Sequence, residues 1–221
     1  MNEQLPFTTP LNSELHKYYY EYRACKLFEY CYPDRVELIC SDKPDLQAVD
    51  KSLGIEVAEA ILTQDAIVSG EFTKYEFGKK NEEDRKRCVQ KIQQCGGKVN
   101  ELYLSYPSHT LDDELGNYNH IINKKIRKLP QYRSQGYSYM GLFIVCSSIP
   151  IPFRIETLRE LFAAAQRTGT DKFDYVWLSY PCAVLFYEES TKQIIIHKVD
   201  PQVYDEIAIN ARLEVEAKYE K

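Results

Sequence analysis

No stretch of this 221-residue sequence stays apolar for long. The longest runs, Met140 to Cys146 and Cys182 to Tyr187, fall well short of the roughly 20 residues that cross a bilayer, so no membrane helix is expected. Met1 to Pro10 carries Glu3 and lacks the basic, apolar and small-residue succession of a secretory leader, which makes a cytoplasmic location the expectation. Cysteine is present seven times, an odd number, without a C-x-x-C pair, so neither a zinc ribbon nor a disulfide framework is expected, and the thiols read as free and buried. The four histidines show no H-E-x-x-H spacing, and neither G-x-G-x-x-G nor a Walker sequence occurs, which leaves a bound dinucleotide or nucleoside triphosphate without support.

Also missing are internal repeats, low-complexity tracts and any linker rich in Pro, Gly and Ser. With 44% hydrophobic residues, the chain reads as a single domain over 1–221, with a helical insertion at about 78–112 as an option. A formal net charge of -5 argues against a protein that coats nucleic acid through its overall field. Acidic residues are nevertheless absent from Gly116 to Ile155, where Lys124, Lys125, Arg127, Lys128, Arg133 and Arg154 supply positive charge. Such a strip is either a phosphate-contacting face or a solvated one.

The elements alternate. Asn12 or Ser13 can cap a helix that runs to about Cys31, where Tyr32 to Asp34 stops it. Its apolar residues lie on two sides, Leu15, Tyr18, Tyr22 and Cys25 on one and Tyr20, Ala24, Leu27 and Cys31 on the other, so both sides should be covered. A small meander of strands follows, at Val36 to Cys40, around Asp45 to Val49, and at Ile55 to Ala58. Helices are predicted from Ala60 to about Phe72, from Glu82 to Cys95, and from Asp112 or Asp113 to Pro130. The next elements are a strand at Tyr139 to Cys146, a helix from Glu156 to Gln166 closed by Gly169, and a strand at Tyr175 to Tyr180. A hairpin of Cys182 to Tyr187 with Gln193 to Val199 and a last helix after Pro201 complete the order. This mixed order predicts an α/β or α+β sheet sandwiched by helices.

The chemistry concentrates in Ser41-Asp42-Lys43-Pro44-Asp45, then turn and strand, then Gly54-Ile55-Glu56-Val57-Ala58-Glu59-Ala60. Asp45 and Glu56 on neighbouring strands can bring two carboxylates to one sheet edge, where they would bind Mg²⁺, a hard ion that takes oxygen ligands and keeps several waters. Alternation puts Glu56 and Ala58 on one face and Ile55 and Val57 on the other. Glu59 is expected to open the next helix, and Gln64 lies about a turn further on.

The string and its flanking elements resemble the PD-(D/E)XK nuclease superfamily, closely over about 42–60 and loosely from Leu11 to Leu185. The resemblance implies a restriction-endonuclease-like mixed central sheet flanked by helices. It also implies an endonuclease that hydrolyses phosphodiester bonds in DNA with Mg²⁺ or Mn²⁺, and a homodimer as one possible assembly. Carried over residue by residue, Asp45 and Glu56 take the metal positions, and Glu29 near the end of the first helix stands as a further carboxylate. The position of the superfamily's lysine, two beyond the Glu, is Ala58.

Lys125 is the candidate to replace that lysine, because helical spacing puts it inside the stripe of Tyr118, Ile121, Ile122, Ile126 and Leu129. The alternative is a packed stem with its ammonium in water. Lys124, Arg127 and Lys128 are the candidate nucleic-acid contacts, and Tyr18, Tyr19, Tyr20 and Tyr22 suit core packing better than base stacking. A catalytically silent binding or regulatory module of the same fold is the rival reading, favoured by Ala58.

Overall fold

The computed structural model describes residues 10–34, 36–78, 81–99, 103–146, 154–166 and 171–219. Its frame is one seven-stranded mixed sheet. In chain order the elements are α1 (Ser13–Cys31), β1 (Leu38–Cys40), β2 (Leu46–Ala48), β3 (Leu53–Ala60), α2 (Thr63–Phe77), α3 (Glu82–Gln94), β4 (Lys98–Val99), β5 (Leu104–Ser105), α4 (Leu111–Ile126), α5 (Leu129–Ser134), β6 (Tyr139–Cys146), α6 (Ile155–Ala165), β7 (Tyr175–Tyr180), β8 (Ala183–Glu188), β9 (Gln193–Lys198) and α7 (Pro201–Tyr219). The large sheet runs β1-β2-β3-β6-β7-β8-β9, and β4 and β5 form a separate pair. Its centre, β3-β6-β7, is parallel, whereas the flanks β1-β2-β3 and β7-β8-β9 are antiparallel. Among the described residues no helix is long and apolar enough to cross a membrane.

The parallel centre is buried on both faces, so β6 reads as a continuous apolar run. Period-two alternation then divides the core into two layers. Ile55 and Val57 of β3, Phe143 and Val145 of β6 and Trp177 of β7 pack with Leu27, Phe28 and Tyr204 beneath α1 and α7. Leu142 and Ile144 of β6 with Val176 and Leu178 of β7 pack on the other face with Tyr118, Ile122, Leu129, Tyr132, Leu158 and Phe162 from α4, α5 and α6. Glu56 and Ala58 alternate with Ile55 and Val57 and so face the α4 layer, as the alternation predicts.

Two boundaries differ from the sequence reading in ways that matter for the site. β3 continues through Glu59 and Ala60 instead of yielding to a helix, because it pairs with β6 up to Ala60–Cys146. Pro130 does not end the α4 helix. That helix stops at Ile126, and Pro130 sits in the first turn of α5, where a missing N–H costs nothing. The start of α4 is capped by Thr110, just ahead of the expected acidic residues, with Asp113 completing a reciprocal capping box. Gly169, expected to close α6, lies outside the described residues.

Candidate active site

The site begins with how Asp45 reaches β3. Gly54 allows the approach: a Cβ there would lie 2.8 Å from Pro44 Cγ, with Met140 and Tyr137 at 3.0 and 3.1 Å, so only a glycine lets the Lys43-Pro44 turn pack against the strand. The Ser41 N–H donates to the Asp45 carbonyl at 2.8 Å and closes the turn. Asp45 is thereby buried, and its Oδ2 accepts the Val57 N–H at 2.8 Å.

Glu56 sits one residue earlier on β3 and points the other way, under α4 and α5. It is fully buried and has three side-chain partners. Lys125 Nζ donates to Oε2 at 2.8 Å, Lys128 Nζ to the same oxygen at 2.9 Å, and Tyr132 OH to Oε1 at 2.5 Å. Burial pushes the Glu56 carboxyl upward, but Lys125, Tyr132 and Lys128 outweigh that and hold it below the usual range. The Lys125 ammonium also donates to the Val57 carbonyl at 2.6 Å and lies 3.5 Å from Asp45 Oδ2. Asp45 is left with a raised pKa, from burial first and the negative charge of Glu56 second.

The structure therefore brings Asp45, Glu56 and Lys125 together and adds Lys128 and Tyr132 to them. Glu29 lies apart. It is half-exposed, bonded to Lys26 at 3.1 Å and to the Cys25 thiol at 3.6 Å, and lines a groove with Val203 and Ile207 of α7. The carboxylate that α1 delivers to the cleft is Glu21, eight residues or about 12 Å earlier along the axis. Glu21 is only 2% exposed, and its Oε1 has no hydrogen-bond partner among the described residues, although the Lys17 ammonium stands 3.4 Å away. Burial, then the charge of Asp45, push its carboxyl up to about 7.

Glu21 was open to detection. At about 100° per residue it falls between the two apolar stripes of α1, about 40° from Cys25 and 60° from Ala24, so a helix covered on both sides leaves it little access to water. Tyr132 was hidden by the expectation that the helix ends at Pro130. Lys128, expected on the outer flank, turns inward because the helix breaks after Ile126 and the helical phase resets before α5. Lys124 and Arg127 are exposed, as a phosphate-contacting role requires. Of the tyrosines, Tyr20 is buried and donates to Glu59 at 2.7 Å, and Tyr19 packs partly against the α1 core layer.

A cleft of about 410 Å³ opens here, and its wall includes Lys17, Glu21, Asp45, Ala58, Lys125 and Lys128. Gln64 is exposed and lies outside that wall. No group of three or more His, Cys, Asp or Glu side chains is preassembled to hold a metal among the described residues, and both Glu56 oxygens are already bonded, to Lys125, Lys128 and Tyr132. The donor set is nonetheless one of hard oxygens, and the buried Glu21 Oε1, ion-paired with Lys17 at 3.4 Å but not hydrogen-bonded, faces the same cleft. Chemically, the cleft offers closely spaced carboxylates and the ammonium groups of Lys17, Lys43, Lys125 and Lys128, with the buried Tyr132 phenol behind it on Glu56. Comparison with protein-family models, with curated proteins and with solved structures returns no match to this chain.

Proposed function

We propose that this chain is a divalent-metal-dependent nuclease that hydrolyses phosphodiester bonds in DNA, a divergent relative of the PD-(D/E)XK enzymes. The observation that carries the reading is Lys125. A lysine from α4, 69 residues beyond Glu56, sits on the carboxylates of both motif positions, where Ala58 leaves β3 without a cation. Asp45, Glu56 and the Val57 carbonyl are the oxygens that would hold Mg²⁺ or Mn²⁺. The ion would polarise the phosphodiester and acidify a bound water. Lys125 would orient the attacking water and offset the negative charge that builds on the phosphoryl oxygens. Tyr132 fixes the Glu56 carboxylate, and the exposed Lys124 and Arg127 attract the backbone without reading its sequence.

One observation favours the rival, a catalytically silent module. With Lys125, Lys128 and Tyr132 all bonded to it, Glu56 is already neutralised and hydrogen-bonded without any metal. The deciding experiment titrates Mg²⁺ and Mn²⁺ into the pure protein with supercoiled plasmid, linear duplex and single-stranded substrates. Metal-dependent cleavage that Lys125→Met removes supports the enzyme. Absence of cleavage across the panel, with retained nucleic-acid binding, supports the silent module.

A further inference from the structure

We infer that the Lys125 ammonium is the resident cation of this site, and that a divalent ion enters by displacing it. This rests on the metal half of the reading above but not on catalysis. Lys125 Nζ lies 2.6 Å from the Val57 carbonyl, 2.8 Å from Glu56 Oε2 and 3.5 Å from Asp45 Oδ2. Three oxygens from two adjacent strand segments thus converge on one positive atom. Hard divalent ions take the same kind of ligands, carboxylate and backbone carbonyl oxygens. An ammonium and a metal ion cannot share these three oxygens, since like charges a few ångströms apart in a buried site repel strongly.

Lys128 is a different case. Its side chain is 48% exposed and meets Glu56 without an ion pair to Asp45, so it can swing into water while Lys125, 18% exposed, cannot. The stem of Lys125 leaves α4 beside the buried Ile121 and Ile122, which confines its head to the cleft. Within that cleft an alternative acceptor exists. Glu21 Oε1 is buried, lines the same wall as Lys125 and makes no hydrogen bond among the described residues, its ion-pair partner being the half-exposed Lys17 ammonium at 3.4 Å, which can turn to water. Displaced from Asp45 and Glu56, the ammonium has Glu21 to move toward. The cleft is therefore self-neutralised at rest, and metal affinity is reduced by the free energy of moving the lysine.

The test is a calorimetric titration of Mn²⁺ into the full chain at fixed pH and low salt, free of nucleic acid. Lys125→Met should bind Mn²⁺ at least tenfold more tightly than wild type, Lys124→Met should match wild type, and adding Asp45→Asn to Lys125→Met should erase the gain. Equal or weaker binding by Lys125→Met overturns the inference, as does failure of both proteins to bind. Should Lys125→Met not fold, wild type labelled at lysine Cε is titrated with Mg²⁺, the Lys125 signal being the one missing from Lys125→Arg. That signal must move, and a stationary one overturns the inference. Cleavage is read separately, so tighter binding by Lys125→Met alongside an inactive wild type leaves displacement standing and removes the nuclease reading.

Discussion

Glu56→Gln is nearly isosteric, yet it removes the only full negative charge that Lys128 pairs with among the described residues and the closest one to Lys125. Removing one partner of a buried ion pair costs about 3–5 kcal/mol, mostly because the other charge is stranded. Three features reduce that here. Lys128 is half-exposed and can turn to water, Lys125 keeps the Val57 carbonyl and Asp45, and Asp45 is relieved of a like charge. A net loss of about 2–3 kcal/mol at neutral pH follows from these offsets. At roughly 2–4 °C per kcal/mol for a chain of this size, Tm should fall by about 4–12 °C. The assay is urea unfolding followed by far-UV circular dichroism, in metal-free buffer, with the midpoint shifting and the slope unchanged. The sign of the pH dependence is also fixed. The Glu56 carboxyl is depressed in the folded state, so its contribution is full above the unfolded value and is lost as pH falls through the folded one. The gap between wild type and variant should therefore close in acid. A midpoint unchanged at pH 7, or a gap that widens toward pH 3, would refute the placement of Glu56 as the hub of the cleft.

Millimolar Mn²⁺ should raise the Tm of wild type and leave that of Asp45→Asn unchanged, since a ligand stabilises only the state that binds it; an equal rise in both proteins would exclude Asp45 as a ligand. Glu21→Gln mimics the protonated form of a group raised to about 7. The wild-type carboxylate becomes a burden as pH rises from its unfolded value through 7, so the metal-free variant should be the more stable protein at pH 8 and equal to wild type near pH 4. Thermal melts across that range check it, and a variant less stable at pH 8 would contradict the placement of Glu21. Lys124→Met combined with Arg127→Met should weaken DNA binding and reduce the salt dependence of log K by about 0.9 for each phosphate no longer neutralised, measured by fluorescence anisotropy between low and moderate salt; an unchanged slope would take α4 off the nucleic-acid path.

Much of the site was legible because short-range rules place its parts. Strand alternation alone sends Glu56 to one face and Ile55 and Val57 to the other, and helical period alone puts Lys125 among Ile121, Ile122 and Tyr118. The sequence by itself thus determined that Glu56 and Lys125 face the protein interior, and the order of elements determined a mixed sheet between helices. Only the tertiary structure decided which of them meet. Neither period says that α4 crosses over β3, so the pairing of Lys125 with Glu56 depends on the parallel placement of β3 beside β6 and on α4 covering that face. The choice of Glu21 over Glu29 has the same origin: both lie on α1, but the helix packs with Glu21 over the Asp45 turn and carries Glu29 past it toward α7. Lys128 and Tyr132 were beyond local reading because the phase reset between α4 and α5 is set by packing, with Leu129 fully buried and Pro130 tolerated in a first turn. Local rules fix the direction in which a side chain leaves its backbone; the burial of both sheet faces fixes what lies there to receive it.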